Sequence, residues 1–552
     1  MTGGRRAAAL VPTEDRRIIH GGTQGTITQG KDNRIMASPA VLAPTTIETP
    51  AFSLRAILAP LITIIIGAFM AVLDTTATNV AVPTLVRDFH APLSTLQWVI
   101  TGYTLAQAAV IPLAGWLSDR YGAKQVFLTS IVLFTVGSAL CATAQTTGML
   151  ITFRVLQGLG GGFIFPVALA YIYRLAPPER VGMVTGLMGI PILLGPAIGP
   201  VLAGWLVQDA SWRWIFLINL PVGVVGVLLG LRGLPAVERG RVESLDYAGI
   251  LLGPLAFASL VYGISEGSTS WTSSNTIGGI IAGSLALIAF IVVELRAATP
   301  LLQLRVFRSL DFDLAILGLW AGQFALFGAL FLVPLFMQEV RGYGALDTGF
   351  TLIPQALGTM IFMPIGGVLF DRIGARPLVV VGSAIMVAAG LLLATVGITT
   401  RGWDLVLPLT LYGMGMGLMI MSLNTQVLSS APRALVARVS ALSTALLQVI
   451  SSIAVAGLAT VLSSRTATHV SEARAALAAH PPRGSQAIVS RTLQEALSRA
   501  AATAFDDSFH VVAVATVIAA LLGLLLRRAP LESQVVEASV ANQPATVVAK
   551  AG

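Results

Sequence analysis

Charge is scarce in this sequence of 552 residues: charged side chains make up 11% of it. A soluble domain carries about 25%, so a chain of soluble domains is excluded. A nucleic-acid surface is excluded as well. The formal net charge is +8, but lysine and arginine sit in short loops rather than clustering on one soluble face. Cysteine is nearly missing: the single Cys141 lies in an apolar run, which leaves no disulfide framework and no thiolate metal site. The five histidines, His20, His90, His469, His480 and His510, lie outside the apolar cores, and no HExxH occurs. No metal is therefore expected. A glycine-rich loop ending in Gly-Lys-Ser/Thr is missing too, so ATP is not the expected energy source. Gly158, Gly160, Gly161 and Gly162 resemble a nucleotide turn only superficially, since no soluble strand precedes them. Neither an enzyme nor a cofactor is expected. The stretch before Arg55 has basic pairs, Arg5–Arg6 and Arg16–Arg17, but no apolar core leading to a cleavage site, so it reads as a tail rather than a leader.

What the chain has in abundance is hydrophobic residues, 55% of the total. They fall into apolar runs of about 20 residues, the length that spans a bilayer. Fourteen such runs begin near Ile57, Leu96, Val126, Met149, Met183, Ile215, Tyr247, Ile277, Leu314, Phe350, Leu378, Leu405, Leu435 and Val511. With the N-terminus inside, the inner short loops hold Arg120, Lys124, Arg174, Arg180, Arg232, Arg239, Arg241, Arg296, Arg305, Arg308, Arg372, Arg376, Arg433 and Arg438, and Arg527 and Arg528 follow the last span. The outer short loops hold only Arg87, Arg213, Arg341 and Arg401. Sixteen against four places both termini in the cytoplasm. The expected protein is an all-α, multi-pass protein of the cell (inner) membrane.

A thirteen-residue stretch occurs twice, 252 positions apart (364 − 112). Pro112 to Lys124 reads PLAGWLSDRYGAK, and Pro364 to Arg376 reads PIGGVLFDRIGAR. Gly115, Asp119, Arg120, Gly122 and Lys124 match Gly367, Asp371, Arg372, Gly374 and Arg376. Two hydrophobic halves that share one charged loop point to a secondary transporter built from duplicated bundles. The expected organisation is a disordered cytoplasmic tail over 1–54, a six-helix bundle over 55–232, and a linker with two extra spans over 233–308. A second six-helix bundle covers 309–528, and a cytoplasmic tail covers 529–552. The second bundle includes a long outside loop, 464–507, whose Ala, Arg and Glu content predicts helical pieces.

Two charges lie deep in spans. Asp74 is the only carboxylate well inside an early span, and Arg154 the only basic residue well inside any. Both fall in the outer half of their helices. A lone charge at that depth costs at least a few kcal/mol, so each should pair or face a cavity. If Asp74 and Arg154 meet, a change in their separation or in solvent access could drive uptake and release of a proton. The second half has no counterpart, because Leu326 and Val406 stand 252 positions on. In the repeated loop, Asp119 can cap a helix or pair with a basic residue of the other half. Polar and aromatic residues inside spans are candidate substrate contacts: Trp98, Tyr103, Gln107, Gln323, Phe324, Phe327, Gln355 and Asn424. Aromatic walls with few charges suit lipophilic or cationic molecules. The two extra spans carry no charge at mid-depth and are expected to pack peripherally against lipid.

These residues resemble the major facilitator superfamily. The charged repeat is similar to its signature loop between helices two and three. Leu73 to Pro83 (LDTTATNVAVP) resembles the first-helix motif of drug:proton antiporters, and Arg154 to Gly162 (RVLQGLGGG) their fourth-helix arginine motif. Gly189 to Gly204 (GIPILLGPAIGPVLAG) resembles the fifth-helix antiporter motif, with Pro200 where many members have a second glycine. Trp212 to Gly223 (WRWIFLINLPVG) is similar to the fourteen-helix branch, the drug:proton antiporter-2 family of EmrB/QacA type. The resemblance spans roughly 55–530. It implies the major facilitator fold, two six-helix bundles plus two extra central helices. It also implies proton-coupled multidrug efflux by a functional monomer, with Gly115, Asp119, Arg120, Gly122, Asp371 and Arg372 in a gating latch. Gly195, Pro196 and Gly199 would then form an interface that prevents leakage. A periplasmic adaptor is a candidate partner if the host has two membranes. A dedicated exporter of one metabolite or lipid-like product is the competing carrier reading, and a membrane sensor or scaffold the non-carrier one.

Overall fold

The computed structural model describes residues 54–175, 189–235, 246–393, 395, 401–430, 436–480 and 486–526, apart from 269, 298, 299, 301 and 303. Both expected tails, the span start at Met183, the Asp371 side chain and several loop arginines (Arg180, Arg239, Arg241, Arg433, Arg527 and Arg528) lie outside the described residues.

The described chain is all-helical, with no strand among the described residues. In the first half the helices are α1 (Leu54–Phe89), α2 (Trp98–Val110), α3 (Leu113–Tyr121), α4 (Ala123–Thr143), α5 (Thr147–Gly161), α6 (Ile164–Leu175), α7 (Gly189–Asp209) and α8 (Asn219–Gly233). A hairpin follows, α9 (Tyr247–Glu266) and α10 (Ser274–Arg296). The second half holds α11 (Leu310–Leu335), α12 (Ala345–Ile373), α13 (Ala375–Leu393), α14 (Val406–Ser429), α15 (Val436–Ala479) and α16 (Gln486–Leu525). Among the described residues, 12 helices are long and apolar enough to cross a membrane, or 13 with the bent pair Leu93–Val110 and Leu113–Tyr121 counted as one span. The described part of the fifth expected span is α7, so fourteen spans are compatible with the fold. A helix satisfies its backbone groups within its own segment, as hydrocarbon requires, and these long apolar runs take that solution. Leu228, Leu251, Leu285 and Ile288 turn outward on the surface that such a membrane would cover.

The two copies of the repeat share one backbone device. Gly122 ends α3 at φ 94° and ψ 135°, and Gly374 ends α12 at φ 77° and ψ 178°. A residue with a Cβ rarely adopts either conformation. The following helix starts at the next residue in both copies. The helices entering the turn differ. The first copy is bent by 55° where Pro112 separates α2 from α3, whereas the second is continuous through Pro364. The Lys124 ammonium donates to the Leu231 carbonyl at 2.8 Å, at the C-terminal end of α8, where a cation is favourable.

The halves meet through α7 against α12 and through α2 against α15. Hydrogen bonds that join them include three across this seam. Gln338 Nε2 donates to the Val80 carbonyl at 3.0 Å, the Leu346 amide to Gln208 Oε1 at 3.2 Å, and the Thr104 and Ser452 hydroxyls lie 2.5 Å apart. All three lie in the half of the molecule away from the repeated loops.

At that same end α15 and α16 run on together. The helical pieces expected in 464–507 are the continuations of these two helices, of 44 and 40 residues. At about 1.5 Å per residue each is roughly 60 Å long, about twice the hydrocarbon thickness. Asp507 ties the pair together, 3.0 Å from His469 Nε2 and 3.6 Å from Arg465 Nε. Phe505 stacks edge-on to Phe336 at 5.6 Å.

The extra helices differ from expectation. α10 is largely peripheral, but α9 packs on the seam between α2 and α15. Gln97 Nε2 donates to Ser265 Oγ at 2.5 Å, and Thr460 Oγ1 to the Ile264 carbonyl at 3.1 Å. The hairpin is thus tied to both halves. Sequence patterning could not show this, because a helix with no charge reads the same against lipid as against another apolar helix.

Gly374→Ala is expected to cost about 1–3 kcal/mol from the backbone conformation alone, since open space surrounds the Cβ position. Gly122→Ala should cost a similar amount. Thermal unfolding of the purified variants checks both, and an unshifted midpoint would refute the turn argument.

Candidate functional site

Asp74 sits on α1 with no exposed surface, and Arg154 on α5 is equally buried. The Arg154 guanidinium donates through Nη1 to Asp74 Oδ2 at 2.5 Å and to Gln157 Oε1 at 2.9 Å. Its Nε donates to the Val99 carbonyl at 2.9 Å. The second carboxylate oxygen, Oδ1, accepts from Gln157 Nε2 at 2.9 Å and from Asn219 Nδ2 at 3.2 Å. Asn219 also donates to Ser138 Oγ at 3.0 Å, and Ser138 to the Phe216 carbonyl at 2.8 Å. The guanidinium lies over the Tyr103 ring at 4.0 Å and near Phe216 at 5.6 Å, a cation–π arrangement on both sides.

Five helices converge here: α1, α2, α4, α5 and α8. Each supplies what a buried charge pair needs, because an ion in a low-dielectric interior persists only when paired and hydrogen-bonded. Gln157 bridges the pair, donating to the carboxylate and accepting from the guanidinium. Every contact to the Asp74 oxygens comes from a donor, so this arrangement offers no acceptor for a carboxyl proton.

The fifth-helix glycines belong to the same neighbourhood. A Cβ on Gly195 would collide with Val72, and one on Gly199 with Thr76, the residues two before and two after Asp74. Thr76 Oγ1 also reaches the Gly195 carbonyl at 3.4 Å. Small residues here allow α7 to lie directly against α1, as membrane helices do at close crossings. Pro196 and Pro200 both lie within α7.

The other expected residues separate. Tyr103 and Gln107 join the Asp74 neighbourhood, with Gln107 Nε2 donating to the Tyr103 hydroxyl at 3.0 Å. Trp98 does not: it lines a lateral cavity on another face of α2. In the second half, Gln323 Nε2 donates to Ser451 Oγ at 3.1 Å, Phe324 and Asn424 are half-buried, and Phe327 lies in the core. Gln355 is buried, with its Oε1 unpartnered. At the repeated loops Gly115, Arg120 and Arg372 are exposed and Asp119 is half-buried. The interaction partners missing from the sequence reading are Gln157, Asn219 and Ser138. Gln157 had a signal, being three residues after Arg154 on one helix face. Asn219 had a weaker one, as the polar residue in WRWIFLINLP.

The major facilitator superfamily family model matches residues 64–455. A multidrug resistance protein B homolog of Mycobacterium tuberculosis is 36% identical over 468 residues, covering 83% of this chain and 86% of that protein. A putative multidrug resistance protein MdtD of Yersinia enterocolitica is 34% identical over 397 residues, covering 70% and 83%. Among solved structures, a bacterial homolog of the human lysosomal transporter Spinster aligns with TM-score 0.58 at 17% identity, covering 86% of this chain and 98% of that one. A D-xylose-proton symporter aligns with TM-score 0.55 at 16% identity, covering 86% and 98%. At these identities the structures speak for the fold alone. The chain belongs to the major facilitator superfamily and is a multi-pass membrane transporter of that type.

Proposed function

We propose that the protein exports lipophilic or cationic small molecules across the cytoplasmic membrane in exchange for protons, as a fourteen-span antiporter with both termini in the cytoplasm. The observation that carries this reading is the Asp74–Arg154 pair, a fully buried carboxylate whose known contacts are all donors. For Asp74 to take a proton, at least one of those donors must move away. Proton uptake is then tied to a rearrangement of α1 against α5 and α8, and α7 lies directly on that part of α1. That rearrangement lies within the first half, so it has to accompany the rocking of one half against the other by which such carriers alternate access. The names of the relatives support a multidrug substrate class.

In this reading the end at which Gln338, Gln208 and Thr104 join the halves is the outer side. The repeated loops with Asp119, Arg120, Asp371 and Arg372 serve as the cytoplasmic latch of the opposite state. Tyr103, Gln107, Gln323, Phe324, Gln355 and Asn424 are the substrate contacts to test first. The projecting α15–α16 hairpin is the surface an adaptor would meet in a host with two membranes.

Asp74→Asn is expected to abolish proton-driven export. The amide oxygen can still accept from Arg154, but the guanidinium loses its counter-ion, so the thermal midpoint should fall and transport is compared at equal amounts of folded protein. The check is uptake into liposomes or inverted vesicles energised by an imposed pH gradient. Undiminished export by the variant would refute proton coupling through this residue. Arg154→Ala strips the carboxylate of its counter-ion and should cost about 3–5 kcal/mol of stability. A thermal midpoint equal to that of the unaltered protein would show that the pair does not hold this site together.

A further inference from the structure

A cavity of about 450 Å³ lies outside the Asp74 site, between the two halves and the extra hairpin. Its walls include Trp98 of α2, Val155 of α5, Phe257 of α9, Phe290 of α10, and Ala445 and Val449 of α15. Among the described residues no charged side chain lines it, and the Trp98 indole N–H is the only polar side-chain group in its walls. Helix α2 separates it from the ion pair: Trp98 faces the cavity, while the next residue, Val99, gives its carbonyl to Arg154. One end of the hairpin is fastened, with Ser265 held by Gln97 and the Ile264 carbonyl by Thr460. Beyond these contacts α9 stands away from α2 and α15 and leaves a hollow. Gly249, Gly253 and Pro254 line it on the α9 side.

The volume falls within the roughly 300–1,000 Å³ of small-molecule pockets. Walls this poor in polar groups are ill suited to ordered water, since a buried water needs two or more polar partners. A void of this size also forfeits dispersion contacts along its whole lining. The opposite face of the hairpin presents Leu251, Leu255, Leu285 and Ile288, 70%, 52%, 63% and 59% exposed, as a surface for bilayer hydrocarbon. The cavity is therefore one helix layer from the acyl chains, which are its most concentrated apolar neighbours.

We propose that this cavity is a lateral binding site for an uncharged hydrocarbon group, an acyl chain or a fused ring, that enters from the bilayer. The extra hairpin creates the site by covering the α2–α15 seam without filling it. Because both halves contribute walls, the shape of the site depends on how the halves sit against each other. The inference does not rest on the role assigned to Asp74.

The test uses the full-length protein in phospholipid nanodiscs with two photoactivatable probes in separate arms. One is a phospholipid with a diazirine in its acyl chain; the other is a diazirine-bearing adamantane. After irradiation, adducts are mapped by mass spectrometry. The expected result, read residue by residue, is labelling concentrated on Gly253, Pro254 and Phe257 and on segment 445–449, relative to the lipid-facing Leu251, Leu255 and Leu285–Ile288. Ala258→Trp, which fills the cavity from the hairpin side, should lose most of that labelling. Ala109→Phe fills it from α2 and reads the same effect if the first variant does not fold. Capture of the phospholipid alone assigns an acyl-chain site, capture of adamantane alone a site for lipophilic solutes, and capture of both a shared one. Labelling at these segments no stronger than at the lipid face, and unchanged by both substitutions, would overturn the proposal.

Discussion

The rest of this structure is arranged around one requirement: two opposite charges sit where water does not reach. Asp74 and Arg154 are both completely buried, and neither could remain there alone. Satisfying them takes a carbonyl from α2, an amide from α5 and another from α8, with a hydroxyl from α4 behind it. Segments separated by up to 145 positions in the chain, from Asp74 to Asn219, thereby answer one local need. The glycines of α7 have the same cause at one remove. They bring a fifth-span helix against α1 at the turns on either side of the carboxylate.

The duplication that built the molecule kept some features and lost others. The left-handed turn at Gly122 returns at Gly374, because both loops must reverse direction between helices that start at the next residue. The ion pair does not return: Leu326 and Val406 occupy the matching places. The second half instead carries neutral polar groups at the seam, Gln338 and Ser452. Such groups hydrogen-bond across a helix interface at modest cost, and they can part and re-form when the halves move. Strong electrostatics thus lie within one half, and weak contacts lie between the halves.

Much was legible beforehand. The apolar runs, the repeat, the all-helical class and the two buried charges all follow from composition and spacing, because hydrocarbon imposes length and charge rules that leave few alternatives. Asp74 and Arg154 stood out since a charge inside a span is costly enough to be conspicuous. Gln157 and Asn219 did not, because neutral amides inside spans are cheaper and therefore commoner. The helical pieces of 464–507 were legible from Ala, Arg and Glu, but not that they run on unbroken from the spans before and after them.

The sequence by itself determined that this is a duplicated bundle of membrane-spanning helices with one unmatched carboxylate and one unmatched arginine in its first half. Tertiary structure alone decided which residues those charges meet and which face of each helix does what. Along α2, Val99, Tyr103 and Gln107 recur every four residues and turn to the ion pair, while Trp98, Gly102 and Leu105 turn to the lateral cavity. An apolar helix has no strong pattern to announce that division. Which face becomes functional depends on the neighbours that pack against it, and those are set by contacts between segments hundreds of residues apart. The placement of the extra hairpin over the seam was decided the same way. Its side chains suit lipid and protein equally, and only hydrogen bonds at its end, from Gln97 and Thr460, fix where it rests.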